Sequence, residues 1–122
     1  MVLVDTSIWS DHLRRRHAGL ADLLEARQVL VHPFVIGEIA CGSFPSRSAA
    51  LASLNLLPSA PLLSQAEVVG FIDRHGLAGQ GVGFVDMHLL ASALVAGAGV
   101  FTRDKRLATA ATRVGVAMHP RD

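Results

Sequence analysis

The chain has 122 residues, 51% of them apolar, a single cysteine and a formal net charge of +1. No apolar run approaches the ~20 residues that cross a bilayer, and one thiol rules out an internal disulfide. So small a net charge by itself says nothing about nucleic acid, while five phenylalanines, one tryptophan and no tyrosine argue against a base-stacking platform. The length suits one domain over residues 1–122. The N-terminus lacks the basic region and long apolar run of a signal peptide. With its lone thiol, Cys41, the chain is expected in a reducing cytoplasm, away from membranes. An apolar share this high in so short a chain predicts that part of it covers a partner surface, either a second copy in a homodimer or another protein.

Val2 to Val4 form a short buried strand, after which Thr6 or Ser7 can cap a helix from about Ile8 to Arg16. Leu20, Leu23 and Leu24 place a second helix over about 20–26, and Val29 to Val31 a second strand. Pro33 opens a helix through Val35, Ile36 and Ile39 that ends near Gly42. Ser46 to Leu56 is a further helix. Pro58 and Pro61 bracket a loop or short edge strand. Ser64-Gln-Ala-Glu67 has the form of a capping box and starts a helix to about His75. The glycine-rich stretch "GLAGQGVG", residues 76–83, is a loop before a strong helix from about Phe84 to Ala96. Val100 to Thr102 form a strand, Lys105 to about Thr112 a helix, and Val114 to Met118 a last strand around Gly115. Strands alternating with helices predict a parallel sheet covered on both faces, with the working site outside the carboxyl ends of its strands.

Four acids stand apart. Asp5 ends the first strand, and Asp104 follows the strand Val100 to Thr102, where an N-cap role would suffice to explain it. Asp86 lies near the third position of an apolar helix, where the helix dipole favours it but burial does not. Glu38 sits within "VIGEIA", apolar on most sides. If these four converge, their repulsion is severe unless cations offset it. Hard Mg²⁺ or Mn²⁺ takes oxygen ligands and suits an all-carboxylate set; zinc does not. Such ions generate hydroxide and stabilise a phosphodiester in transit. Asp11, Asp22, Glu25, Glu67 and Asp73 fall on solvated helix faces. The six histidines have no zinc-ligand spacing and are expected at the surface or core edge. Trp9 belongs to the core.

The segments "VDTSIW", "IGEIACG", "GFVDMHLLASAL" and "VFTRDKRL" resemble, in order and from end to end, those of the PIN-domain ribonucleases, and more closely the VapC toxins. The resemblance implies a PIN-like three-layer α/β sandwich with about five parallel strands. It implies that Asp5, Glu38, Asp86 and Asp104 gather in one pocket, hold Mg²⁺ (or Mn²⁺) and position water to cut RNA. Thr6, Ser7 and Thr102 match supporting positions. It also implies a homodimer and a cognate VapB-like antitoxin. Family members often carry an aromatic two or three residues after the position of Asp104; here Leu107 stands nearby, a difference of packing.

On this reading the chain is a metal-dependent endoribonuclease. Arg14, Arg15 and Arg16 and the group Arg103, Lys105 and Arg106 are candidates to contact RNA, or else solvated helix faces. A non-catalytic PIN module that only holds RNA or protein is the alternative. An acid-site phosphatase would want an Asp where Ser7 stands, and a receiver domain would want an acid pair and a late lysine that are not evident.

Overall fold

In the computed structural model, which describes residues 1–120, four short strands form one parallel sheet in the order β2-β1-β3-β4. β1 is Val2–Val4, β2 Val29–Leu30, β3 Gly99–Phe101 and β4 Met118–His119. Leu3 lies opposite Leu30 on one side and Val100 on the other. Leu3, Val4 and Val100 are fully buried, as strands of a doubly covered parallel sheet must be.

The helices α1 (Thr6–Arg14) and α2 (Ala18–Glu25) connect β1 to β2. Between β2 and β3 run α3 (Pro33–Ala40), α4 (Arg47–Leu54), α5 (Gln65–His75) and α6 (Phe84–Ala96). α7 (Lys105–Arg113) joins β3 to β4. The chain moves from β1 to β2 in one direction and from β2 past β1 to β3 and β4 in the other. Right-handed crossovers then put α1 and α2 on one face, and α6 and α7 on the opposite face. At the carboxyl ends of the adjacent strands β1 and β3 the chain departs to opposite faces, which makes the switch point where α/β sheets place their sites. Among the described residues no helix is long and apolar enough to cross a membrane.

Local chemistry sets most boundaries. Ser64 and Glu67 form the expected capping box at the start of α5. α6 ends where Gly97 takes a left-handed conformation (φ 65°) and the Ala98 amide closes back on the Ala93 carbonyl.

Several elements differ from the sequence expectation. The sheet has four strands where about five were expected: the stretch between Pro58 and Pro61 contributes a single bridge, Ser59 beside Val31. The prolines withhold the amides a longer ladder would need. The last strand is Met118–His119, because Gly115 (φ 82°) and the Val116 amide, bonded to the Ala111 carbonyl, are spent on closing α7. Thr102 lies beyond the end of β3. Asp5 caps α1 in place of Thr6 or Ser7.

Two histidines expected near the surface are interior. His32 is fully buried and caps α3, its Nδ1 accepting from the Phe34 amide at 3.0 Å. His88, 3% exposed, packs edge-on against Phe34 and Phe84, with ring centroids 4.7 and 4.8 Å away. Trp9 is in the core as expected, at 4% exposure.

Candidate active site

The site grows from the end of β1. The Asp5 amide still bonds the Phe101 carbonyl (3.0 Å), so the residue is fixed to β3 as the backbone turns away. Its side chain is buried, at 4% exposure, yet well supplied with donors. Oδ1 accepts from the Ile8 amide (3.3 Å) and the Ser7 hydroxyl (2.6 Å), and Oδ2 accepts from the Thr102 hydroxyl. A buried carboxylate is tolerated when its oxygens are satisfied in this way.

Ser7 and Thr102 each serve twice. The Thr102 hydroxyl oxygen accepts from the Asp104 amide (3.0 Å), and that of Ser7 accepts from the Arg103 amide (3.3 Å). The backbone leaving β3 is thus tied to the start of α1. Asp104 itself caps α7, with Oδ1 accepting from the amides of Arg106 (2.9 Å) and Leu107 (3.3 Å). Its cap role and its place beside Asp5 coexist. Leu107 is fully buried.

The other two acids arrive from helices. Glu38, exposed on α3, accepts from the Thr6 hydroxyl at 2.6 Å through Oε1, which holds it to the residue next to Asp5. Asp86 is half-buried in the first turn of α6. Its carboxyl is pushed up to about 6, first by burial and then by the negative charges of Asp5, Asp104 and Glu38. Four acids from four separate segments therefore share one electrostatic environment around the switch point.

A family description, "PIN domain", matches residues 2–112. The chain belongs to the PIN-domain family. It is 45% identical over 119 residues to "Ribonuclease VapC32" of Mycobacterium tuberculosis, in both the CDC 1551 / Oshkosh and H37Rv strains, covering 97% of this chain and 96% of the relative. Two solved structures share the fold. A FitAB complex bound to an IR36 DNA fragment superposes with TM-score 0.64 at 16% identity, covering 97% of this chain and 93% of that one. FitAcB from Neisseria gonorrhoeae superposes with TM-score 0.64 at 20% identity, covering 97% and 96%.

In this PIN domain the three candidate supporting residues, Thr6, Ser7 and Thr102, all donate a hydroxyl to a site carboxylate. The basic candidates divide. Arg103 forms a two-point surface ion pair with Asp11 (2.9 and 3.2 Å). The Arg14 guanidinium lies 4.7 Å from the Phe44 ring centroid. Arg15 is exposed at the end of α1. Lys105 and Arg106 line an open cleft beside α7. Asp11 lies on a solvated face as expected, but its pairing with Arg103 has no counterpart in the sequence. Its partner lies 92 positions away, so no local signal exists.

Among the described residues no group of three or more His, Cys, Asp or Glu side chains is arranged, as it stands, to hold a metal ion. The chemistry of the donor set still fits a hard divalent cation. Asp86 takes no hydrogen bond among the described residues, and Glu38 and Asp104 each engage only one oxygen. Mg²⁺ keeps several waters and needs only one or two direct carboxylates, so a loose acidic set suits it better than a tight cage.

Proposed function

We propose that this PIN domain is a metal-dependent endoribonuclease that hydrolyses RNA phosphodiester bonds. It acts as the toxin of a toxin–antitoxin pair and is held in check by a VapB-like antitoxin. The observation that carries the reading is the shared environment of Asp5, Glu38, Asp86 and Asp104, expressed in the upward shift of Asp86. Relatives named ribonuclease at 45% identity support the choice of RNA.

Asp5, Asp86 and Asp104 would hold Mg²⁺ or Mn²⁺, with Glu38 completing the set. The ion, when bound, offsets the charge of the acids and the phosphate and lowers the pKa of a water. Ser7 and Thr102 hold Asp5 in one orientation. Thr6 fixes one oxygen of Glu38 and leaves the other to orient the attacking water for in-line displacement. Among the described residues Asp86 has no competing donor, so it is the acid most available to a cation.

The chain is also proposed to work as a homodimer in the cytoplasm. Leu62, Leu94 and Val95 are exposed around α5 and α6 at 56%, 38% and 65%, apolar surface that a second copy would cover. The exposed free thiol of Cys41 suits a reducing compartment.

The test is incubation of the purified chain with total cellular RNA and Mg²⁺ or Mn²⁺, beside a chelator control and Asp5→Asn and Asp86→Asn. Discrete fragments from the metal-loaded wild type alone are expected. No cutting by a folded, metal-supplied protein would overturn the nuclease reading in favour of a non-catalytic binding module.

A further inference from the structure

A cleft of about 220 Å³ runs along α7 from the residue next to Asp104. Lys105, Arg106 and Arg113 line it, with Gln80 and Thr109 as further polar groups and Leu77 in its floor. No acid lines it, and among the described residues none of the three cations pairs with a carboxylate. In this chain of nearly balanced charge, three unpaired cations in one groove are a local concentration of positive potential.

The opposite wall of the cleft comes from the glycine-rich loop that leads into α6 and Asp86. Arg106 lies on that loop: a Cβ added at Gly81 would meet its Cδ and Nη1 at 3.1 Å. The groove is therefore built between the two segments that deliver Asp86 and Asp104 to the site. Lys105 and Arg113 are eight residues apart on one helix, ~12 Å along its axis. At ~3.4 Å per nucleotide of a stacked strand, that reaches about three nucleotides.

We propose that this cleft is a phosphate-binding subsite for the RNA strand on the α7 side of the cut. The proposal rests on the nuclease reading above and adds the path of the substrate. Lys105 and Arg113 contact backbone phosphates about two to three nucleotides apart, and Gln80 and Thr109 hydrogen-bond to phosphate or ribose. An acidic protein segment is the rival occupant. The cleft starts at the residue after Asp104 and is walled by the loop that leads to Asp86, the two segments that flank a scissile phosphate, and this favours the nucleic acid.

The test is equilibrium binding of a fluorescent single-stranded RNA in chelator, so that nothing is cut, across a series of salt concentrations. Removing one cation from the phosphate backbone lowers the log–log salt slope by about 0.7. Lys105→Gln/Arg113→Gln should lower it by about 1.4 and weaken binding at ~0.1 M salt about 25-fold. Arg27→Gln, at the amino end of β2, should change neither quantity. If a melting curve shows the double variant misfolded, each single variant should show about a five-fold loss at ~0.1 M salt. A wild type that cleaves RNA with variants that bind it unchanged overturns the subsite and leaves the nuclease standing. A wild type that neither binds nor cleaves RNA removes the reading beneath it. Variants that bind a polyglutamate peptide more weakly but RNA as well as before assign the cleft to a protein partner and also overturn the proposal.

Discussion

The hydroxyl of Thr102 donates to Asp5 across 97 positions of sequence and joins the carboxyl ends of β1 and β3 at the switch point. The same oxygen accepts from the Asp104 amide. One side chain thus sets the distance between two of the four acids.

Thr102→Val should therefore disturb both. It leaves the Asp104 amide without its acceptor and removes one of three donors to Asp5, a loss of about 1–2 kcal/mol. Groups that orient metal ligands typically carry 10–100-fold in activity, so RNA cleavage should fall by about that factor. Thr102→Ser, which keeps the hydroxyl, should recover most of it. Cleavage rates and urea melts of the two variants, side by side, check this; equal losses would deny the hydroxyl its role.

Asp86→Asn should abolish cleavage and stabilise the metal-free protein. The folded pKa of about 6 lies above the ordinary 3.8, so the folded state holds its proton more tightly than the unfolded chain does. The resulting penalty is absent below pH 3.8, grows between 3.8 and 6, and is complete above 6. Above pH 6 in chelator the variant should gain roughly 1–3 kcal/mol, and the gain should vanish as the pH falls toward 4. A variant no more stable than wild type at pH 7 would contradict a shared acidic environment.

His32 titrates with the opposite sign. Burial, and then His88, lower it to about 4, so the folded protein keeps it neutral while the unfolded chain takes a proton near 6.5. Its Nδ1 accepts from the Phe34 amide, which places the neutral ring's proton on Nε2. Stability is complete above pH 6.5 and is lost as the pH falls toward 4, by at most on the order of 3 kcal/mol. Asp86 gains stability over much of the same range, so the measurement belongs in Asp86→Asn. In that background, urea melts from pH 7.5 to 4.5 should show a steep fall that His32→Asn, which can still cap α3, flattens.

Gly81→Ala carries two separable costs. The residue has φ 74°, a conformation that disfavours any side chain, and its new Cβ would press on Arg106 at 3.1 Å. A loss of about 1–2 kcal/mol is expected from the backbone conformation alone, with a smaller part from moving the exposed Arg106 side chain aside. In an Arg106→Ala background the second part should disappear and the first remain. A double-mutant cycle of thermal melts measures the coupling; zero coupling would mean that Arg106 does not rest on the loop in solution.

The local chain carried a good deal of this protein. Capping residues, proline and glycine stops and apolar spacing marked each helix, because those signals act within a turn or two of the backbone. The acids Asp5, Glu38, Asp86 and Asp104 were visible because carboxylates in apolar runs or at strand ends need a reason. Tertiary structure decided what depends on distant segments meeting. The order β2-β1-β3-β4 put Asp5 beside Asp104 and made one set of four scattered acids. It paired Arg103 with Asp11 and buried His32 and His88. It folded the glycine-rich loop against α7 to make a basic groove that no stretch of sequence contains. Charge and burial are sums over neighbours in space, and only the fold says who those neighbours are.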